Sequence, residues 1–234
     1  MADTQVTWLG HAAFRIDSPG GKRIYVDPWL DNPKAPDGEK SPERIDILVV
    51  THGHGDHVGN TVDLMGRFSP QLVTQVEVQG WLTRNGVDGL EVPGLNKGGT
   101  REIDGISFTM TDARHSSSSD QGDYLGESCG VVIGFENGTK VYIAGDTCVF
   151  GDMQLIARIY EPDVAILPIG DHFTMGPRDA AMAVEFLGVK HVIPIHYGTF
   201  PVLVGTPDQL RSELAGRVLG DVEVHAPEPG GMVS

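Results

Sequence analysis

The stretch Thr51-His52-Gly53-His54-Gly55-Asp56-His57 directly follows the apolar run Ile47-Leu48-Val49-Val50. Three histidines and one aspartate therefore crowd into six positions, where a buried strand is expected to run out into a loop. Imidazole suits zinc and its neighbours, whereas carboxylate suits harder divalent ions, so the mixture indicates two adjacent ions. The glycines at 53 and 55 are interpreted as giving a tight backbone path along which side chains two apart converge. The stretch predicts a metal centre.

This cluster resembles the signature of the metallo-β-lactamase superfamily. The resemblance implies a third histidine some tens of residues later, an aspartate after a strand, and a final histidine at the end of another strand. All three occur in that order: His115, then Asp146 after Val141–Ala144, then His196 after Val192–Ile195. The match spans residues 51–196, and the flanking strands extend it over nearly the whole chain.

A closer likeness is to the small bacterial metal-dependent hydrolases related to ascorbate-6-phosphate lactonases. It is carried by three stretches: Trp8–Phe14, Asp27–Leu30 and Gly170–Pro177. One departure is visible, because the resemblance implies a glycine where Asp171 stands. The carboxylate of Asp171 would alter the charge beside His172.

The resemblance implies a fold of the α/β (α+β) class, the metallo-β-lactamase four-layer αβ/βα sandwich, formed by a single domain over residues 1–234. Two sheets would pack face to face, with helices outside and metals at one edge. The implied ligands are His52, His54 and His115 for one ion, Asp56, His57 and His196 for the other, and Asp146 as the bridge. Two neighbouring cations repel each other, so a shared carboxylate and a shared hydroxide between them make physical sense.

The expected cofactor is a pair of divalent metal ions per chain, with Zn²⁺ preferred and Mn²⁺ or Fe²⁺ as alternatives, because histidine and carboxylate accept all three. Asp56 and His172 are the candidate catalytic residues. The imidazole of His172 would donate a proton to a leaving group or bind a substrate anion.

Several other residues allow two interpretations from sequence. His11 and Asp27 would either orient ligand imidazoles or be a loop histidine and an Asx turn. The polar segment 116–123 would be either a flap over the site or an ordinary solvated loop. Cys148 is interpreted as a small buried filler. His191 and His225 are interpreted as structural or exposed.

The pattern of apolar residues predicts short strands near the start of the chain and a helix after His57 that buries Val58, Val62 and Met65. Further helices are expected over 76–85, 153–160 and 178–187. The run Thr206-Pro207-Asp208-Gln209 predicts a capped helix start.

Composition fits a compact enzyme. The 234 residues carry a net charge of −15, which argues against a broad nucleic-acid surface. A small-molecule substrate, which can be anionic beside two cations, is expected instead. The chain lacks a long apolar run, a signal-like start and a disulfide framework, since it has 2 cysteines, so we expect a cytoplasmic protein without membrane contact. Related proteins often form homo-oligomers.

The favoured function is hydrolysis of an ester, lactone or phosphoester of a small metabolite by the metal-bridging hydroxide. One alternative is a phosphodiesterase or nuclease of the same fold, which the acidic surface disfavours. Another is a non-hydrolytic iron redox protein; that branch of the superfamily has glutamate at the position of His54, so histidine favours hydrolysis. A purely structural metal site is disfavoured because such sites are normally closed by four ligands.

Overall fold

Two β-sheets pack face to face in the computed structural model, which describes residues 3–217 and 219–234. Over these residues the first sheet has the strand order β13 (Met232–Val233), β1 (Gln5–Trp8), β2 (Phe14–Asp17), β3 (Arg23–Val26), β4 (Ile47–Val49) and β5 (Gln71–Val73). The second has the order β12 (Glu223–Val224), β11 (His191–Ile195), β10 (Val164–Pro168), β9 (Lys140–Ile143), β8 (Cys129–Gly134), β7 (Ile106–Asp112) and β6 (Thr100–Ile103).

Helices cover the outer face of each sheet. Those on the first sheet are α2 (Thr61–Phe68) and α3 (Val76–Arg84), preceded by the single turn α1 (Gly55–Val58). Those on the second sheet are α4 (Met153–Tyr160), α5 (Pro177–Leu187) and α6 (Pro207–Gly216). A 3₁₀ turn occupies Asp37–Glu39. Along the described ranges, no helix is both long and apolar enough to cross a bilayer.

Alternation along the strands produces these layers, because successive side chains of a strand point to opposite faces. In β4, Ile47 and Val49 join the core between the sheets, while Leu48 packs outwards with the helix residues Leu64 and Leu82. The second sheet follows the same rule: in β9, Val141 and Ile143 face the inner core and Tyr142 packs under the helices. The four-layer αβ/βα sandwich is thus confirmed.

Parallel pairing sets where the loops emerge. Strands β3, β4 and β5 run parallel to one another, as do β9, β10 and β11. The carboxyl ends of neighbouring parallel strands therefore lie at the same edge of each sheet, and loops at such edges commonly carry functional side chains. Thr51 and His52 leave the carboxyl end of β4, Asp146 follows that of β9, and His196 follows that of β11.

The predicted extent of the helix after His57 is wrong. It begins earlier, at Gly55, and is interrupted after Val58, so that α1 and α2 are separate. The interruption is at Gly59, which has φ +45° and would place a Cβ 2.4 Å from the Cα of Trp29. In contrast, the capped start at Thr206 is confirmed: its side chain accepts from the backbone of Gln209, whose side chain accepts in return.

Candidate metal centre

All seven predicted ligands lie together at one edge of the sandwich. The segment from β4 into α1 supplies His52, His54, Asp56 and His57, and the ends of three strands of the second sheet supply His115, Asp146 and His196. Four of the seven are buried: His52, His57, Asp146 and His196. The remaining three are half-buried, which leaves one side of the cluster open.

The first predicted set forms a compact group of imidazoles. His54 Nδ1 lies 3.0 Å from Nε2 of His52 and 3.3 Å from Nε2 of His115. A nitrogen of each ring falls within 4.8 Å of the others. Three imidazole nitrogens converging on one point form a typical donor set for a zinc-like ion.

The second predicted set converges as well and includes one more histidine. Donor atoms of Asp56, His57, His196 and His11 all lie within 4.8 Å of one another. His11 Nε2 is 2.9 Å from Asp56 Oδ2, and its other ring nitrogen is 3.0 Å from Thr199 Oγ1. Of the two sequence interpretations of His11, the geometry favours the one in which it orients a ligand.

Asp146 lies between the two sets. Its Oδ2 is close to a ring nitrogen of three histidines: 3.3 Å from His57, 3.5 Å from His115 and 3.2 Å from His196. His115 belongs to the first set, whereas the other two belong to the second. One carboxylate oxygen is therefore within reach of both sets.

Asp27 orients two of the predicted ligands, His52 and His57, through hydrogen bonds. Its Oδ1 accepts a hydrogen bond from Thr51 N at 2.8 Å, and its Oδ2 accepts from Thr51 Oγ1 at 2.7 Å and from His57 Nδ1 at 2.8 Å. Because the Thr51 hydroxyl gives its proton to Asp27, its oxygen accepts from His52 Nδ1 at 3.0 Å. In both imidazoles Nδ1 is thus the hydrogen-bond donor to this network, and Nε2 faces the centre.

Burial and the three carboxylates pull the pKa values of the site in opposite directions. Burial, helped by the neighbouring His57, places the pKa of His52 well below its ordinary value. In His57 the same burial is outweighed by Asp146, Asp27 and Asp56, which hold its pKa well above that value. Asp146 likewise outweighs burial in His196 and raises its pKa to about 9. The carboxylates of the site thus favour positive charge close to them.

The residues present fit divalent metal ions. Two buried donor atoms at the heart of the cluster, His57 Nε2 and Asp146 Oδ1, have no hydrogen-bond partner among residues 3–217 and 219–234. Buried polar atoms are rarely left unpaired without a reason such as an ion. Nitrogen and carboxylate donors facing one another, with negative charge to compensate, supply that reason.

The polar segment 116–123 packs against the ligand stretch. Its Ser117 Oγ accepts from Gly53 N at 3.0 Å and donates to the carbonyl of Leu125 at 2.9 Å. Ser116 Oγ lies 3.3 Å from His54 Nε2. A Cβ at Gly53 would be 2.3 Å from Leu125, so glycine is needed there to admit this neighbour. The convergence expected of the side chains on either side of Gly53 is observed, since His52 Nε2 lies 3.0 Å from His54 Nδ1.

Two further sequence interpretations concern His172 and Cys148, neither of which belongs to a group of converging metal-binding side chains among the described residues. His172 lies in the exposed turn after β10, and the centroid of its ring is 4.5 Å from that of Phe173. Asp171 has φ +66°, a conformation that favours glycine, and its side chain accepts from His172 N at 2.8 Å. Gly170, at the start of the same turn, packs on the carbonyl of His196. Cys148 is exposed, so its interpretation as a small buried filler is wrong. It lies two residues after the buried Asp146.

The chain is similar to known proteins over nearly its whole length. Residues 22–197 match the model of the beta-lactamase superfamily domain. A metal-dependent hydrolase of Herpetosiphon aurantiacus is 50% identical over 92% of this chain and 91% of its own length. One of Koribacter versatilis is 44% identical over 97% and 96%. The solved structure of Igni18, a metallo hydrolase from Ignicoccus hospitalis, superposes with a TM-score of 0.86 at 34% identity, covering 98% and 97% of the two chains.

Proposed function

This chain belongs to the beta-lactamase superfamily domain family and is a metal-dependent hydrolase, and we propose on that premise that it uses two ions to cleave an ester, lactone or phosphoester of a small anionic metabolite. The observation that supports two ions best is the position of Asp146 Oδ2, within 3.5 Å of imidazoles from both ligand sets. A single closed site would have no use for a carboxylate shared in this way.

Seven residues would hold the ions. His52, His54 and His115 would bind the first ion, Asp56, His57 and His196 the second, and Asp146 both. Two such ions, when bound, supply an activated water as nucleophile and polarise the oxygen under attack. Zinc suits this imidazole-rich set best, with manganese or iron as alternatives.

The other residues of the chain would orient the centre and the substrate. Asp27 fixes the rings of His52 and His57, directly and through Thr51, and His11 fixes the carboxylate of Asp56. Holding ligands in one rotamer lowers the reorganisation needed during the reaction. Together with Asp56, His172 is proposed as a catalytic residue, giving a proton to the leaving oxygen from the turn that starts beside His196.

An anionic substrate is supported by Lys34. Its Nζ stands 5.8 Å from the ring centroid of Tyr197, the residue directly after His196. Among the described residues, no carboxylate pairs with this half-buried ammonium group, so it is free to meet an anion. Nearby, the rings of Trp29 and Phe200 lie 5.3 and 5.4 Å from that of His11. Partly exposed aromatic rings beside a cation suit a small organic anion.

A turnover screen on metal-loaded protein tests the proposal. Phosphorylated sugar lactones, carboxylate esters, thioesters and phosphodiesters are offered to protein reconstituted separately with zinc, manganese and iron. We expect cleavage of a small anionic ester or lactone, with a KM that rises in Lys34→Ala and stays unchanged in the exposed control Lys190→Ala. A clear preference for phosphodiesters or nucleic acid would replace the proposed substrate class. Elemental analysis giving fewer than two ions per loaded chain would contradict the two-ion scheme.

A further inference from the structure

A second group of metal-binding side chains lies at the opposite end of the second sheet. His191 is the first residue of β11, Glu223 is the first residue of β12, and His225 follows β12 directly. His191 Nδ1 lies 3.1 Å from His225 Nε2 and 3.3 Å from Glu223 Oε2, which is 3.7 Å from His225 Nε2. The three donor atoms thus converge within 4.8 Å.

Strand register builds this group. Strands β11 and β12 are parallel, and His191 is the direct partner of Glu223. His225 stands two residues after Glu223 and therefore points to the same face of the strand; its backbone N–H donates to the carbonyl of Val192 at 2.9 Å. Three donors are thereby aligned on one face of two neighbouring strands.

The group is separate from the metal centre. His196, the nearest predicted ligand of the centre along the chain, directly follows β11 and is five residues beyond His191. At a rise of about 3.3 Å per residue, the two ends are about 16 Å apart. In the described parts of the chain, the donor atoms of His191, Glu223 and His225 form a group that shares no member with the groups of the centre.

We propose that His191, Glu223 and His225 bind a Zn²⁺ ion that fastens β12 to the edge of the sheet. Two imidazole nitrogens and a carboxylate oxygen match the ligand preferences of zinc. The carboxylate offsets one of the two charges of the ion, and the exposed position of Glu223 leaves room for water as a fourth ligand. Because β12 is only two residues long, a link through side chains adds substantially to its attachment.

The measurement is a zinc count by equilibrium dialysis on the full chain, without a histidine tag, at micromolar free zinc. We expect the double variant His191→Ala/His225→Ala to bind one ion fewer than the wild type, with unchanged turnover. A control variant, Asp221→Asn, removes a nearby negative charge that pairs with Lys190 and is expected to keep the full count. The difference between variants does not depend on how many ions the centre holds, so the two proposals fail separately.

Hydrogen exchange provides an independent readout. Zinc added to wild-type protein is expected to slow exchange of the His225 amide, which is hydrogen-bonded to Val192. The double variant and Glu223→Gln are expected to show less slowing or none. An equal zinc count in wild type and double variant, or loss of the same ion in Asp221→Asn, would overturn the assignment.

Discussion

Replacing Asp27 with asparagine tests how the centre is held. The aspartate accepts from three donors: Thr51 N, Thr51 Oγ1 and His57 Nδ1. Asparagine has the same shape but offers one carbonyl oxygen and one NH₂ group. If the oxygen faces Thr51 N, the NH₂ faces His57 Nδ1 and forces the proton of that ring onto Nε2, the atom turned towards the centre. If the amide is reversed, the NH₂ opposes the N–H of Thr51.

Either orientation of the amide has a measurable cost. A buried donor left without its acceptor costs about 1–3 kcal/mol of folding stability. Loss of a partner that orients a metal ligand weakens binding about 10- to 100-fold, which is about 1.4–2.7 kcal/mol. We therefore expect Asp27→Asn to lower both the free energy of unfolding of the metal-free protein and the affinity for zinc.

Zinc affinity is measured by competition with a chromophoric chelator, and stability by urea denaturation of the metal-free protein. Asp31→Asn is the matched control, because Asp31 lies in the same loop but is exposed and accepts from Asn60. We expect it to behave as the wild type does. Equal zinc affinities for the Asp27→Asn and Asp31→Asn proteins would refute the role given to Asp27.

Three further substitutions separate the roles within the site. Asp146→Ala is expected to abolish turnover and reduce the bound metal while circular dichroism stays native; wild-type turnover would mean that the shared carboxylate is wrongly assigned. His172→Ala is expected to lower kcat by about 100-fold or more with unchanged metal content by elemental analysis, whereas lost metal would make it a ligand or a ligand's support. His11→Ala, which frees Asp56, is expected to weaken one of the two zinc-binding steps by about 10-fold in a calorimetric titration, and two unchanged steps would contradict its orienting role.

Features that depend on residues close together in the sequence could be predicted from it. The crowding of His52 to His57 needs no knowledge of the fold, and the capping pair Thr206 and Gln209 is three residues apart. A short apolar run bounded by Gly/Pro turns likewise predicts the strand Arg23–Val26, whose last three residues are buried. The family resemblance then supplied the remaining predicted ligands, and the structure brings their side chains together.

Contacts between residues far apart in the sequence could not be predicted from it. Asp27, at the end of β3, reaches Thr51 and His57 beyond the end of the neighbouring strand β4, and His11 reaches Asp56 from the loop after β1. Nothing in the local spacing reveals such partners, so their two interpretations stayed open. Edge strands such as Gln71–Val73 and Met232–Val233 escaped prediction for another reason: two or three residues are too few to show a period.

Three residues of the site have backbone conformations that non-glycine residues rarely adopt. His11, Asp27 and His196 are buried non-glycine residues with φ of +52°, +44° and +55°. Such conformations are unfavourable and persist where surrounding contacts over-determine them. Here those contacts are part of the site: His196 N donates to the carbonyl of His11 at 3.0 Å, and the Asp27 side chain accepts from Thr51 and His57. Each strained residue is held by another member of the same network, so the strain positions donor atoms around the centre.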